Sequence, residues 1–331
     1  MDPNSLAGQA PNDSAPESDE VMSDYAPSLG GESTFGSLTS SVNGHVWEYG
    51  RRYHVYRYGR YPIPNDEDEY RRENLRHVMF KELLDGELYL APIGENPQKI
   101  IDLGTGFGDW VIEVGENFPS ARVIGVDLSP IQPLWIPPNV EFIVDDVEDE
   151  WVHDSDFDFA HLRFICTVIK DTDALFTRIF ENLKPGGWVE SQELFPELGS
   201  DDGPLPPDYA PSRFYKMCGE VLHQLYGFNT GVAGQLPDDL KRLGFINVQR
   251  RVFHLPIGDW PRDPHLRLIG GTFREVILEW VTAMAARPFV EAGIDKDEID
   301  EMVENIQNVV RDKHIHAYMP VHYTIAQKPP E

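Results

Sequence analysis

Cysteine is nearly absent from this 331-residue chain: Cys166 and Cys218 are the only two. Thiols so far apart make neither a disulfide framework nor a CxxC motif, which points to a reducing compartment. Both read as small buried hydrophobes rather than nucleophiles. Basic residues are scarce too, with 28 Lys and Arg against 56 Asp and Glu and a formal net charge of −28. Such a chain repels polyanions, which argues against nucleic acid as a partner. No apolar run is long enough to cross a bilayer, so no membrane partner is expected. The N-terminus also lacks the basic-then-apolar pattern of a secretory signal. The expected location is the cytoplasm, with the nucleus as the alternative, although no convincing Lys/Arg-rich nuclear signal is present.

What is present is the composition of a globular enzyme, 41% apolar and 11% aromatic, at a length that allows a full core. Residues 1–40 contain no Lys or Arg, are rich in Ser, Pro, Asp, Glu and Gly, and read as a disordered acidic tail. The one basic stripe, Arg51-Arg52-Tyr53-His54-Val55-Tyr56-Arg57-Tyr58-Gly59-Arg60, reads as structural in so acidic a chain. Residues 45–97 are expected to form an N-terminal helical lid or extension. The acidic run Asp66-Glu67-Asp68-Glu69 suits a helix start, and Leu75, Val78, Met79 and Leu83 recur at helical spacing.

Residues 98–195 alternate between short apolar runs and helical patterns. Strands are predicted at 99–103, 121–127, 140–144, 157–162 and 188–194, with helices at 107–117 and 172–183. That alternation implies right-handed crossovers and a doubly wound α/β sheet covered on both faces. Residues 196–331 are expected to add substrate-side helices and the last two strands of the sheet. Their first helix carries Phe214, Met217, Cys218, Val221, Leu222 and Leu225 on one face, read as core.

The chemistry is concentrated in Ile100-Ile101-Asp102-Leu103-Gly104-Thr105-Gly106-Phe107-Gly108. A strand runs into an acid and a GxGxG turn that opens a helix, and glycine is needed where a ligand lies against the backbone. Nicotinamide dinucleotides use a related turn, but the position of their third glycine is Asp109 here. Asp102 stands ready for a cation rather than a pyrophosphate, which suits S-adenosylmethionine. The turn Lys184-Pro185-Gly186-Gly187-Trp188 before the fifth strand resembles a class I methyltransferase hallmark. Asp127, in Gly125-Val126-Asp127-Leu128-Ser129, ends the second strand and can accept both ribose hydroxyls. In Val144-Asp145-Asp146-Val147, Asp146 is offered to the adenine amino group and the Val147 backbone to the ring.

The segment Gly125-Val126-Asp127-Leu128-Ser129-Pro130-Ile131-Gln132-Pro133, with Trp135-Ile136-Pro137-Pro138-Asn139-Val140, resembles the fungal LaeA-like methyltransferase family. So do Leu236-Pro237-Asp238-Asp239-Leu240-Lys241-Arg242-Leu243-Gly244-Phe245 and the chain end at Gln327-Lys328-Pro329. Tyr61-Pro62, followed by Asp66, Glu69, Arg72 and His77, also fits the family pattern. The resemblance spans residues 45–330. It implies a Rossmann-like class I methyltransferase fold, S-adenosylmethionine as methyl donor and a place in fungal secondary metabolism. Members include regulators that work with velvet-type protein partners and tailoring enzymes that methylate small molecules. A small-molecule acceptor, methylated on oxygen or nitrogen, is the expectation.

Methyl transfer from a sulfonium is an in-line displacement, so positioning and desolvation can supply much of the rate. His161 and Arg163 are placed at the mouth of the fourth strand, where an acceptor should sit. His161 has the pKa range of a general base, with a satisfied structural histidine as the other reading. Glu193 and Gln192, ending the fifth strand, face the same place, with a structural hydrogen-bonding role as the other reading; Glu193 is assigned to the substrate side. Tyr53, Tyr58 and Tyr61 are candidates for a lid over the donor, with Tyr58 and Tyr61 on the substrate side. His314, His316 and His322 lack acids or cysteines at ligand spacing, and no metal is expected.

Overall fold

The five apolar runs become five parallel strands: β3 (Lys99–Leu103), β4 (Arg122–Asp127), β5 (Val140–Val144), β6 (Phe157–Arg163) and β7 (Leu183–Leu194). This is seen in a computed structural model that describes residues 44–330; the predicted acidic tail lies outside them. The sheet order is β5-β4-β3-β6-β7-β10, where β10 (Ala317–Gln327) runs antiparallel between β7 and β9 (Ile246–Pro256). β3 leads outward to β4 and β5 on one side, while β6 and β7 lie on the other. The order therefore reverses between β3 and β6, which opens a crevice at their carboxyl ends.

Helices cover both faces. On one, α2 (Asp109–Asn117) packs Trp110, Val111 and Val114 against Ile100, Val123 and Phe159. On the other, α3 (Thr172–Asn182) packs Leu175, Phe176 and Ile179 against Ile101, Ile124 and Leu162. Asp171 caps α3 by accepting from Ala174 N at 2.9 Å, and Asp66 caps α1 (Glu67–Leu83) by accepting from Glu69 N at 3.2 Å. A third apolar cluster joins α1 to α4 (Ala210–Tyr226), α6 (Pro264–Ala286) and α8 (Lys296–Val309), over β10. The short α5 (Leu236–Arg242) and α7 (Pro288–Glu291) complete the helices among the described residues.

Several expectations change. The N-terminal extension is not wholly helical: it begins with a hairpin, β1 (His45–Glu48) and β2 (Arg51–His54), closed by Tyr49 and Gly50, both at positive φ. That is the backbone a two-residue hairpin turn requires. The basic stripe is consumed by ion pairs and hydrogen bonds, Arg51 with Asp66 at 2.6 Å and Arg52 with Asn65 at 3.1 Å. Lys184–Gly187 is not a free turn before the fifth strand. Pairing starts at Leu183, and Gly186 (φ +80°) breaks the register while its N–H reaches Lys328 O. On α1, Met79 is buried, but Val78 is 47% exposed. A two-residue β8 (Gly199–Ser200), not expected from the sequence, pairs with the start of β10.

Candidate functional site

The glycine turn follows β3. The N–H groups of Gly104 and Thr105 both donate to Val126 O, at 2.8 and 2.9 Å, folding the turn back over β4. Gly104, Gly106 and Gly108 all have positive φ, a backbone that side chains rarely adopt. A Cβ at Gly104 would stand 2.7 Å from Ile165 Cδ1, and one at Gly108 would stand 2.5 Å from Phe142 Cζ. At Gly106 nothing lies within 4 Å, so that backbone faces open space in the cavity. Gly104→Ala is therefore expected to cost about 2–4 kcal/mol of stability, from left-handed strain plus overpacking. Gly106→Ala should cost about 1–2 kcal/mol, from strain alone. Denaturant unfolding of the two variants checks the order.

Asp127 ends β4 beside this turn. One carboxylate oxygen accepts from Gly106 N and the other from Ser129 N, each at 2.8 Å. Burial pushes its pKa up to about 6, opposed by those two N–H groups and reinforced by the charges of Asp102 and Glu73. Gln132, given no role from the sequence, ties the following loop to the turn by donating to Gly106 O at 2.6 Å.

A cavity of about 230 Å³ opens at the switch point. Gly104, Gly106, Asp127, Leu128, Asp146 and Val147 line it, as do Tyr61, Arg163 and Glu193. Five predicted site residues, Asp102, Thr105, Gly108, Tyr58 and His161, do not belong to its wall, whereas Cys218 and Leu222, read as core, do line it. Asp102, expected to meet a cation, is turned into the sheet, where His161 Nδ1 donates to it at 2.7 Å. His161, expected as the base, has no exposed surface and stacks on Trp110 with ring centres 3.7 Å apart. Burial lowers its pKa, Asp102 opposing, so the ring is a neutral donor inside the core. Thr105 and Gly108 lie behind the turn. Tyr58 sits at the surface and donates to Glu48 at 2.6 Å, away from the substrate side.

Asp146 reaches the cavity already engaged: Oδ1 accepts from Glu148 N at 3.0 Å, and Oδ2 faces Arg60 Nε at 3.4 Å. Arg60 also pairs with Glu148, Arg57 pairs with Asp149, and Tyr56 OH lies 3.5 Å from Asp145. The loop after the hairpin is thus held against the loop after β5.

The far end of the cavity has two unlike walls. Leu222, Phe273, Val276 and Trp280, from α4 and α6, form an apolar one. Next to it, joined through Arg72 over the Trp280 ring at 5.2 Å, α1 presents charges at helical spacing: Arg72 pairs with Glu69 and Glu73, and Arg76 pairs with Glu73 and lies 3.8 Å from the Phe164 ring centre. Arg163 donates to His77 Nδ1 at 3.2 Å. At the end of β7, Glu193 is 1% exposed. Its Oε1 accepts from Ile165 N and Cys166 N, at 3.1 and 2.8 Å, and its Oε2 has no partner. Among the described residues, no group of three or more His, Cys, Asp or Glu side chains is arranged to hold a metal. No helix there is long and apolar enough to cross a membrane.

Comparison with known proteins agrees with this geometry. A family described as a methyltransferase domain matches residues 75–248. Methyltransferase pytC of Aspergillus terreus is 38% identical over 307 residues, 92% of this chain and 94% of the relative. Secondary metabolism regulator LAE1 of Cochliobolus heterostrophus is 33% identical over 302 residues, covering 89% of this chain and 98% of the regulator. Regulator laeA of Aspergillus flavus is 33% identical over 287 residues, 85% of this chain and 77% of its own length. The chain belongs to this methyltransferase-domain family, as an S-adenosylmethionine-dependent class I methyltransferase related to pytC and the LaeA/LAE1 regulators.

Proposed function

We propose that this protein methylates a small, largely apolar metabolite. The methyl donor lies along the glycine turn and the acceptor between α4, α6 and the charged face of α1. One observation carries the reading: a single cavity joins Gly106 and Asp127 to Leu222, Phe273, Val276 and Trp280. Such a space holds a polar donor and an apolar acceptor side by side, shielded from water.

The residues present suit S-adenosylmethionine. Gly106 leaves room for direct contact with its backbone. Asp127 offers a carboxylate to the ribose hydroxyls, while Asp146 and the Val147 backbone take the adenine edge. Leu128 and Gly104 supply apolar and close backbone contact. Arg60, a cation at this end that a phosphate could use, is matched by Asp146 and Glu148. When bound, the donor supplies an electrophilic methyl group; the chain orients both partners and excludes water. The test is calorimetry with S-adenosylmethionine, followed by labelled-methyl transfer into a fungal metabolite extract. Tight donor binding and label in a small-molecule fraction are expected; label confined to protein would overturn the acceptor class.

A second reading, regulation through a velvet-type protein partner, is favoured by the names of the LAE1 and laeA relatives. Leu134 and Trp135, 95% and 94% exposed beside the donor loop, give it a surface. Pull-down of a velvet-type protein that is lost on Leu134→Asp/Trp135→Asp substitution would support it.

A further inference from the structure

Glu193 stands out among the buried ionisable groups of the cavity because half of its carboxylate is unused. The two backbone N–H groups of Ile165 and Cys166 fix Oε1, while Oε2 is buried without a hydrogen-bond partner on a residue that lines the cavity. Ile165, whose N–H it holds, also packs against the position where Gly104 would carry a Cβ. Glu193 is therefore two contacts away from the methyl-donor turn, on the acceptor side of it.

The other acids of the lining are already engaged: Asp145 accepts from Asp146 N at 2.9 Å and Asp146 from Glu148 N at 3.0 Å. Asp127 is held by two N–H groups, and Glu69 and Glu73 are paired with arginines. Burial raises the Tyr61 phenol and the Cys166 thiol, keeping both neutral. Resting on the donor-and-acceptor reading above, we propose that Glu193 is the general base that deprotonates a neutral hydroxyl, phenolic or enolic, of the acceptor.

Charge in the cavity points to that acceptor class. Its lining holds four guanidiniums, Arg60, Arg72, Arg76 and Arg163, against six acids, Glu69, Glu73, Glu193, Asp127, Asp145 and Asp146. An acceptor carrying its own carboxylate would meet an excess of like charge. A neutral hydroxyl meets none, and can donate to Oε2. Around α1, three arginines face three acids while Glu193 is ionised. Once Glu193 takes the proton, three arginines face two acids, which favours negative charge on the acceptor oxygen. The step balances: the O–H proton passes to Oε2, and the oxygen's freed pair bonds to the donor's methyl carbon. The C–S bonding pair returns to sulfur and cancels the sulfonium charge. A methyl ether, a neutral thioether and protonated Glu193 result, and the proton then leaves to water.

Burial sets the Glu193 carboxyl near the pH at which a base is useful, pushing it up to about 7 against the N–H groups it accepts from and the Arg76 charge. The groups facing it are Arg76 of α1, the Cys166 thiol after β6 and, across the β7–β10 pairing, His322.

The test compares two probes that share one ring system, 2-naphthol and 2-naphthoate, by fluorescence titration of the full chain saturated with S-adenosylhomocysteine. At about pH 8, where Glu193 is ionised, wild type should prefer the naphthol; Glu193→Gln should weaken it roughly tenfold to a hundredfold while strengthening naphthoate. Glu193→Gln keeps an oxygen for the Ile165 and Cys166 N–H groups, and its affinity for S-adenosylhomocysteine should match wild type. Infrared difference spectra of the unliganded wild type should show a carboxylic acid band lost on raising the pH through about 7 and missing from Glu193→Gln. A wild-type preference for naphthoate, or naphthol affinity unmoved by Glu193→Gln, would overturn the proposal. Failure of wild type to bind S-adenosylhomocysteine would instead overturn the methyl-donor reading.

Discussion

Asp127→Ala should lower affinity for S-adenosylmethionine by roughly tenfold to a hundredfold, the loss of hydrogen bonds to a charged acceptor worth about 1.5–3 kcal/mol. The variant also frees the Gly106 and Ser129 N–H groups, loosening the turn proposed to hold the donor. pH supplies a sharper check. With the carboxyl pushed up to about 6 in the free protein, donor affinity should fall as pH drops through that value, because a protonated carboxyl accepts fewer hydrogen bonds. Asp127→Asn should be weak at every pH and lose the titration. For stability the sign is reversed. A folded-state pKa above the unfolded one means the contribution of Asp127 is fully present below about 4 and lost as pH rises through about 6. Donor binding and unfolding should therefore depend on pH in opposite directions. Calorimetry showing unchanged donor affinity in a folded Asp127→Ala protein would remove the residue from the donor site.

The second large effect is on stability. His161→Ala should cost about 3–5 kcal/mol, because it leaves the Asp102 carboxylate buried without its donor and Trp110 facing a void. His161→Asn, which can keep an N–H directed at Asp102, should recover much of that loss. It should also keep the wild-type pH profile of methyl transfer. Loss of the neutral-pH titration in a stable His161→Asn enzyme would restore His161 as the base and displace Glu193.

Local signals made the glycine turn and its surroundings readable. A strand, an acid and three glycines at alternate positions dictate a left-handed turn whatever surrounds them. Asp127 follows from the same logic one strand later. His161 shows where such reading stops. Its place near the end of an apolar run suggested the crevice, but β6 runs on to Arg163, and cross-strand register sets His161 beside Asp102 under the sheet. Both residues stand two positions short of a cavity residue, Gly104 and Arg163, so each belongs to the part of its strand covered by helix. The hairpin at residues 45–54 escaped notice because its strands are four residues long and rich in charge. On α1 Glu69 and Arg72 stand out only as part of a family pattern and Glu73 and Arg76 not at all, although the spacing of the four already places them on one face. Charge on a helix normally means solvent; here the cavity keeps those groups paired and largely covered.

That covered, charged face divides the acceptor chamber into a part that can drift and a part that cannot. Removing any one of Glu69, Arg72, Glu73 or Arg76 strands its partners away from water, a cost of several kcal/mol in a protein whose whole margin is of the order of ten. Exchanging Leu222 or Val276 changes the chamber's outline without stranding a charge, at a cost an ordinary domain survives; Trp280, which lies under the Arg72 guanidinium, belongs with α1. A lineage descending from this chain can therefore acquire a new acceptor by small successive changes on α4 and α6, while α1 is inherited as a block.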